Sequence, residues 1–193
     1  MATRKKEDVF WTWVSRNIES LKQIRSGKEQ VYREANKRLR RYHKGLVFEI
    51  MPSSDPVTIV ISADGVLKNF PSVHCLCNYA PQNAGYKVVP FRSPMEFCQM
   101  TIGDIDFNPE DIFYKILSRR DRVDIAFYCQ NYSNDREEIF LTAMLLLLDH
   151  GLGEYVVGTM VGRIEVRRYI GQPGLSKMPE LAMEFESDGG TVA

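Results

Sequence analysis

The sequence predicts an α+β domain, a mostly antiparallel sheet of about six strands packed with an N-terminal helical pair and a buried C-terminal helix. Three observations carry this expectation. Residues 1–44 repeat apolar side chains at helical spacing. From Gly45 the apolar period shortens towards two, in runs rich in Val, Ile, Phe and Tyr that end in turn residues. Residues 139–148 are apolar almost all round, as suits a helix sunk in a core. The chain has 193 residues, 44% hydrophobic and 11% aromatic, which is enough to build a core without disulfide or metal staples and excludes wholesale disorder.

In chain order, Phe10, Trp13, Val14, Ile18, Leu21 and Ile24 recur three and four apart and predict a helix over 8–25. After a Ser26-Gly27 link, Val31, Ala35, Leu39 and Tyr42 form the stripe of a second helix, 28–42. Residues 46–51 and 58–62 read as strands of a hairpin, joined by Pro52-Ser53-Ser54-Asp55-Pro56. Pro71 suits the first turn of a helix reaching Tyr79, with Val73, Leu76 and Cys77 inward. Strands follow at 86–91, 98–102 and 105–107, then a hairpin of 112–118 with 122–130. A helix is expected over 135–150, with Asn134 as cap and Gly151 as its stop. Residues 161–169 give a last strand. Residues 1–171 are thus read as one domain, with 1–44 its helical segment and no internal repeat, and 172–193 as a flexible tail.

The net charge is zero, but it is segregated: +8 over residues 1–44, −5 over 45–171 and −3 over 172–193. A bulk polycation is excluded, while a local basic surface is not. The N-terminal Met1-Ala2-Thr3-Arg4-Lys5-Lys6 leads into Glu7-Asp8 without the apolar core of a signal peptide. The longest apolar run, 141–148, is far below the ~20 residues that span a bilayer. A cytoplasmic protein with four reduced cysteines and no membrane association is expected.

The runs Leu46-Val47-Phe48-Glu49-Ile50, Ile61-Ser62-Ala63-Asp64-Gly65, Phe70-Pro71-Ser72-Val73 and Ala80-Pro81 resemble a family of bacterial cytosolic single-domain proteins without an established activity. Tyr86-Lys87-Val88-Val89-Pro90-Phe91-Arg92 stands where that family has a Trp-Lys strand and an Arg. Leu146-Leu147-Leu148-Asp149-His150-Gly151-Leu152-Gly153-Glu154-Tyr155 resembles its C-terminal signature. The resemblance spans most of residues 10–169 and implies a bacterial domain, with no catalytic residues to transfer.

Four groups of residues invite a chemical reading. Asp149-His150 with Glu154 could share a proton or a metal, but a third ligand is wanting, and a histidine at a helix C-terminus has a structural use. Asp64, before Gly65 at a strand end, occupies a usual place for a catalytic carboxylate and also for a turn. His74-Cys75-x-Cys77 offers soft ligands, yet on a helix Cys75 and Cys77 diverge by about 200°. Cys98 and Cys129 lie in strand-like runs and read as core. Finally Arg33, Lys37, Arg40, Arg41 and Lys44 form a basic stripe on the second helix, beside Tyr32, Tyr42 and His43.

No complete catalytic constellation is visible, so the first expectation is a non-enzymatic, protein-binding domain, such as a small accessory or an immunity-type protein. It would bind a protein partner or a second copy of itself through Arg33, Lys37, Arg40 and Arg41, with Phe10, Trp11, Trp13 and Tyr32 as aromatic anchors. The alternative is a hydrolytic or metal-assisted enzyme using Asp64, His150 and Glu154 in one pocket. Nucleic-acid binding through residues 28–44 ranks third. No metal and no cofactor is expected.

Overall fold

The computed structural model describes residues 5–24, 29–51, 54–82 and 85–186. The Ser26-Gly27 link, the Pro52-Ser53 part of the first turn and residues 187–193 lie outside the described residues. The chain divides into two compact units, Met1–Arg92 and Ser93–Ala193. Each has its own apolar core, and the fold is α+β with mixed sheets.

The first unit begins with α1 (Lys6–Arg16), α2 (Ile18–Leu21) and α3 (Gln30–Tyr42). The single helix expected over 8–25 is interrupted at Asn17, whose Nδ2 donates to the Trp13 carbonyl at 2.8 Å. An asparagine amide that bonds nearby backbone offers the chain an alternative to the helical ladder. A three-stranded sheet follows, β1 (Val47–Met51), β2 (Val57–Ser62) and β3 (Tyr86–Pro90), with α4 (Phe70–Asn78) between the last two. β1 pairs antiparallel with β2, Phe48 opposite Ile61, and β3 pairs parallel with β2, Ile59 opposite Val88. A parallel pair needs a crossover, and α4 supplies it. Five of the six residues of β2 are buried, so both faces of the central strand are covered. Trp11, offered above as an aromatic anchor for a partner, is only 2% exposed; its Nε1 donates to the Leu76 carbonyl at 2.8 Å and its ring stacks on Tyr86. Phe10 is buried beside it. These aromatics are core, because the helix turns positions 10, 11 and 14 inward together.

The second unit opens with a small hairpin, β4 (Met100–Ile102) and β5 (Ile105–Phe107), turning at Gly103. The larger hairpin β6 (Ile112–Arg119) and β7 (Val123–Cys129) is the one expected. Next come α5 (Glu137–Leu152), α6 (Glu154–Met160) and β8 (Val161–Arg168), which pairs parallel with β7. Gly151 does not stop α5; the stop is Gly153 at φ 79°. α6 is missing from the sequence expectation, since Val156, Val157 and Gly158 argue against a helix and tertiary packing overrides them. α5 is less enclosed than its composition suggests, with Leu145 and Leu146 each 49% exposed. Residues 172–186 are no loose tail. β9 (Ser176–Lys177) pairs with β6, and a short 3₁₀ turn leads into α7 (Leu181–Glu186). Met178 and Leu181 are wholly buried, and that burial fixes a segment whose glycines and prolines suggest freedom. Instead of one sheet of about six strands, the described residues form three sheets, ordered β1-β2-β3, β4-β5 and β8-β7-β6-β9.

Candidate functional site

A run of cations without ion-pair partners among the described residues lies on α3. Ala35 and Leu39 sink into the core of the first unit, which turns Arg33, Lys37, Arg40 and Arg41 outward at spacings of three and four. All four are exposed, as is Lys44 just past the helix end. None of the five forms an ion pair with a described residue. Arg38 shows the contrast. It pairs with Glu34 at 2.9 Å and lies over the Trp13 ring, 5.0 Å from its centre, so it belongs to the scaffold.

Lys37, Arg40, Arg41 and Lys44 form one wall of a cleft of about 630 Å³. Val47 and Val66 supply apolar surface and Asp64 stands at the rim, while Leu46, Ala63 and Asn69 border the cleft from buried positions. A neighbouring hollow of about 440 Å³ is lined by Tyr32, Arg33, Asn36, Lys37 and Arg40. Asn36 fixes the helix against the sheet: its Oδ1 accepts from Phe48 N at 3.1 Å. Asn69 Nδ2 donates to the Gly45 carbonyl at 3.2 Å, and a Cβ on Gly45 would collide with that amide. The close approach of Gly45 and Asn69 joins two of the segments that line the cleft. Nothing in the hydropathy pattern signals it.

Asp64 ends β2 in a turn. Its φ is 53° and that of Gly65 is 72°, and Val66 N closes the turn on the Ala63 carbonyl at 3.1 Å. Its carboxylate meets Arg92 at 3.0 Å, and Arg92 Nε also donates to Glu49 at 2.8 Å. The aspartate thus holds a turn and faces the basic cleft from its rim.

His150 and Glu154 belong to the second unit. Glu154 is fully buried in the first turn of α6, where the helix dipole favours a carboxylate. His150 stands in the last turn of α5, as the structural use of a histidine there requires. Its Nε2 lies 3.4 Å from Cys98 Sγ. Cys98 is exposed, in an extended segment ahead of β4, and is not the core residue expected. The polar neighbours Glu96 and Gln99 break the strand alternation there and are the one sequence signal of it. Among the described residues no three His, Cys, Asp or Glu side chains gather as a metal site. Cys77 is partly buried in α4, and burial pushes its thiol up to about 12, which suits an apolar role.

No family model, no curated protein and no solved structure matches this chain. Among the described residues no single helix is long and apolar enough to cross a membrane. Only α5 with its preceding turn and α6 reach that length and composition together, across a bend of 117°, and they are packed into the core of the second unit.

Proposed function

We propose that this chain is a binding protein whose first unit receives an acidic segment of a partner protein in the cleft beside α3. One observation carries the reading: four cations of neighbouring positions line one cleft, and none of them forms an ion pair with a carboxylate of the described residues. Unpaired cations on one exposed helix face repel each other, so their accumulation costs stability in the isolated fold. An anionic partner would reverse that cost. The apolar surface of Val47 and Val66 favours a peptide over a phosphate chain, because it offers nothing to a sugar-phosphate backbone. Asp64 on the rim points the same way, since it repels phosphate and accepts a hydrogen bond from a peptide N–H.

The test compares two labelled probes of equal charge by fluorescence anisotropy. One is a peptide alternating Glu and Leu, the other a single-stranded oligonucleotide. The peptide is expected to saturate, and the triple change Lys37→Glu, Arg40→Glu, Arg41→Glu to weaken it at least about tenfold. Absence of saturable peptide binding, or equal binding by the triple variant, would sink the proposal. Tighter binding of the oligonucleotide at the same salt would replace it with nucleic-acid recognition.

A further inference from the structure

The second unit holds a chemical feature that the binding cleft does not use. Cys98 Sγ and His150 Nε2 are 3.4 Å apart, within reach of a thiol–imidazole hydrogen bond. The pair is held from both sides. Met95 N donates to the His150 carbonyl at 2.8 Å, which ties the segment before Cys98 to the end of α5. Phe97 packs on Gly151 so closely that a Cβ there would collide with its ring. Gly151 is therefore a landing place for the segment that carries Cys98. Phe97, Gln99 and Gly151, which flank the pair in sequence, line a cleft of about 580 Å³.

The other three cysteines lack this setting. Burial pushes the thiols of Cys77 and Cys129 up to about 12 and keeps them protonated. Cys75 is exposed like Cys98, but its sulfur faces the Glu7 carboxylate at 3.9 Å and not an imidazole. Exposure alone therefore does not distinguish Cys98; the imidazole does.

We infer that Cys98 and His150 form a reactive thiol pair that takes up small-molecule disulfides as a mixed disulfide. With the imidazole protonated at Nδ1, Nε2 accepts the Cys98 proton. Cys98 Sγ then attacks one sulfur of the disulfide, forming a new S–S bond as the old one breaks. The departing thiolate receives the proton from His150 and leaves as a free thiol. Atoms and electrons balance: one disulfide is consumed, and one mixed disulfide and one thiol are formed.

The full chain is treated at neutral pH with hydroxyethyl disulfide, an uncharged probe, and each cysteine is followed by peptide mass spectrometry. Cys98 is expected to react at least about tenfold faster than Cys75. His150→Gln should bring Cys98 down to about the rate of Cys75, while Cys129 stays unmodified and so reports an intact second unit. Gly151→Ala, which leaves both reacting side chains in place, should slow Cys98 by dislodging Phe97. Equal rates for Cys98 and Cys75 in the unaltered chain overturn the inference, whether or not the variants fold. An unchanged Cys98 rate in His150→Gln with Cys129 protected overturns it too.

Discussion

In the first unit the hairpin β1–β2 is followed by a helix and a strand parallel to β2. In the second the hairpin β6–β7 is followed by α5 and α6 and a strand parallel to β7. Both units therefore use the same order, two antiparallel strands, a helical crossover and a parallel return to the central strand. No repeat in the residue pattern announces this. The central strands answer to the same demand, since β2 and β7 are each buried on both faces and read as nearly unbroken apolar runs. The elements beside them differ. The first unit adds a basic amphipathic helix with unneutralised charge, and the second adds a long apolar helix with a histidine at its end. A common strand plan solves the burial problem in each unit, and the flanking helices are left to carry chemistry.

The largest expected effects test whether the two cores are equivalent. Phe48 in β1 and Leu147 in α5 are both wholly buried. Phe48→Ala should cost about 3–5 kcal/mol and Leu147→Ala about 2–5 kcal/mol, from lost transfer energy and the cavity left behind. Denaturant titration measures the loss, and hydrogen exchange locates it. Phe48→Ala should release β2 amides first, and Leu147→Ala those of β7. Simultaneous loss of protection in both strands would show one cooperative body and break the comparison.

A smaller effect is expected at two tightly packed glycines, one in each unit. Gly45→Ala meets the Asn69 amide, and Gly151→Ala meets the Phe97 ring. Overpacking of this kind costs about 1–3 kcal/mol. Thermal melts of the two variants give the comparison directly. Gly151 should be the costlier site, because it lies within a helix and cannot shift without moving α5. At Gly45 the amide can swing away, with loss of one hydrogen bond.

These glycines mark where sequence reading stops. The hairpins at 47–62 and 112–129 were legible because alternation and turn residues are local properties. The basic face of α3 was legible for the same reason, since helical spacing alone puts Lys37, Arg40 and Arg41 together. The cleft was not, because its far wall comes from residues 63–69 across the hairpin. Cys98 was misplaced because its setting depends on Phe97 finding Gly151, a contact over more than fifty positions of chain. Local pattern fixes faces, and close approach between distant segments fixes sites.

Arg92 offers an intermediate test. It joins Glu49 at the sheet to Asp64 at the cleft rim. Arg92→Met keeps the apolar stem and removes the charge. The groups are partly exposed, so the loss should be about 1 kcal/mol or less and should shrink with added salt. A chemical denaturation series at two ionic strengths measures both. A loss several times larger would mean that the Asp64 turn is organised by Arg92 and not by its own backbone geometry.

The smallest expected effect decides what the α3 cations are for. Lys37 has Arg33, Arg40 and Arg41 three or four residues away on the same exposed face. Like charges at that spacing destabilise a helix by about 0.2–0.5 kcal/mol per pair. Gln matches Lys closely in helix propensity, so Lys37→Gln isolates the charge. If the cations serve a partner outside the fold, Lys37→Gln should raise stability by a few tenths of a kcal/mol at low salt, and the gain should vanish at high salt. If Lys37 instead balances acidic groups of its own chain, the same change should lower stability. The sign of the shift in melting temperature therefore separates a surface kept for binding from one kept for folding, and it does so before any partner is known.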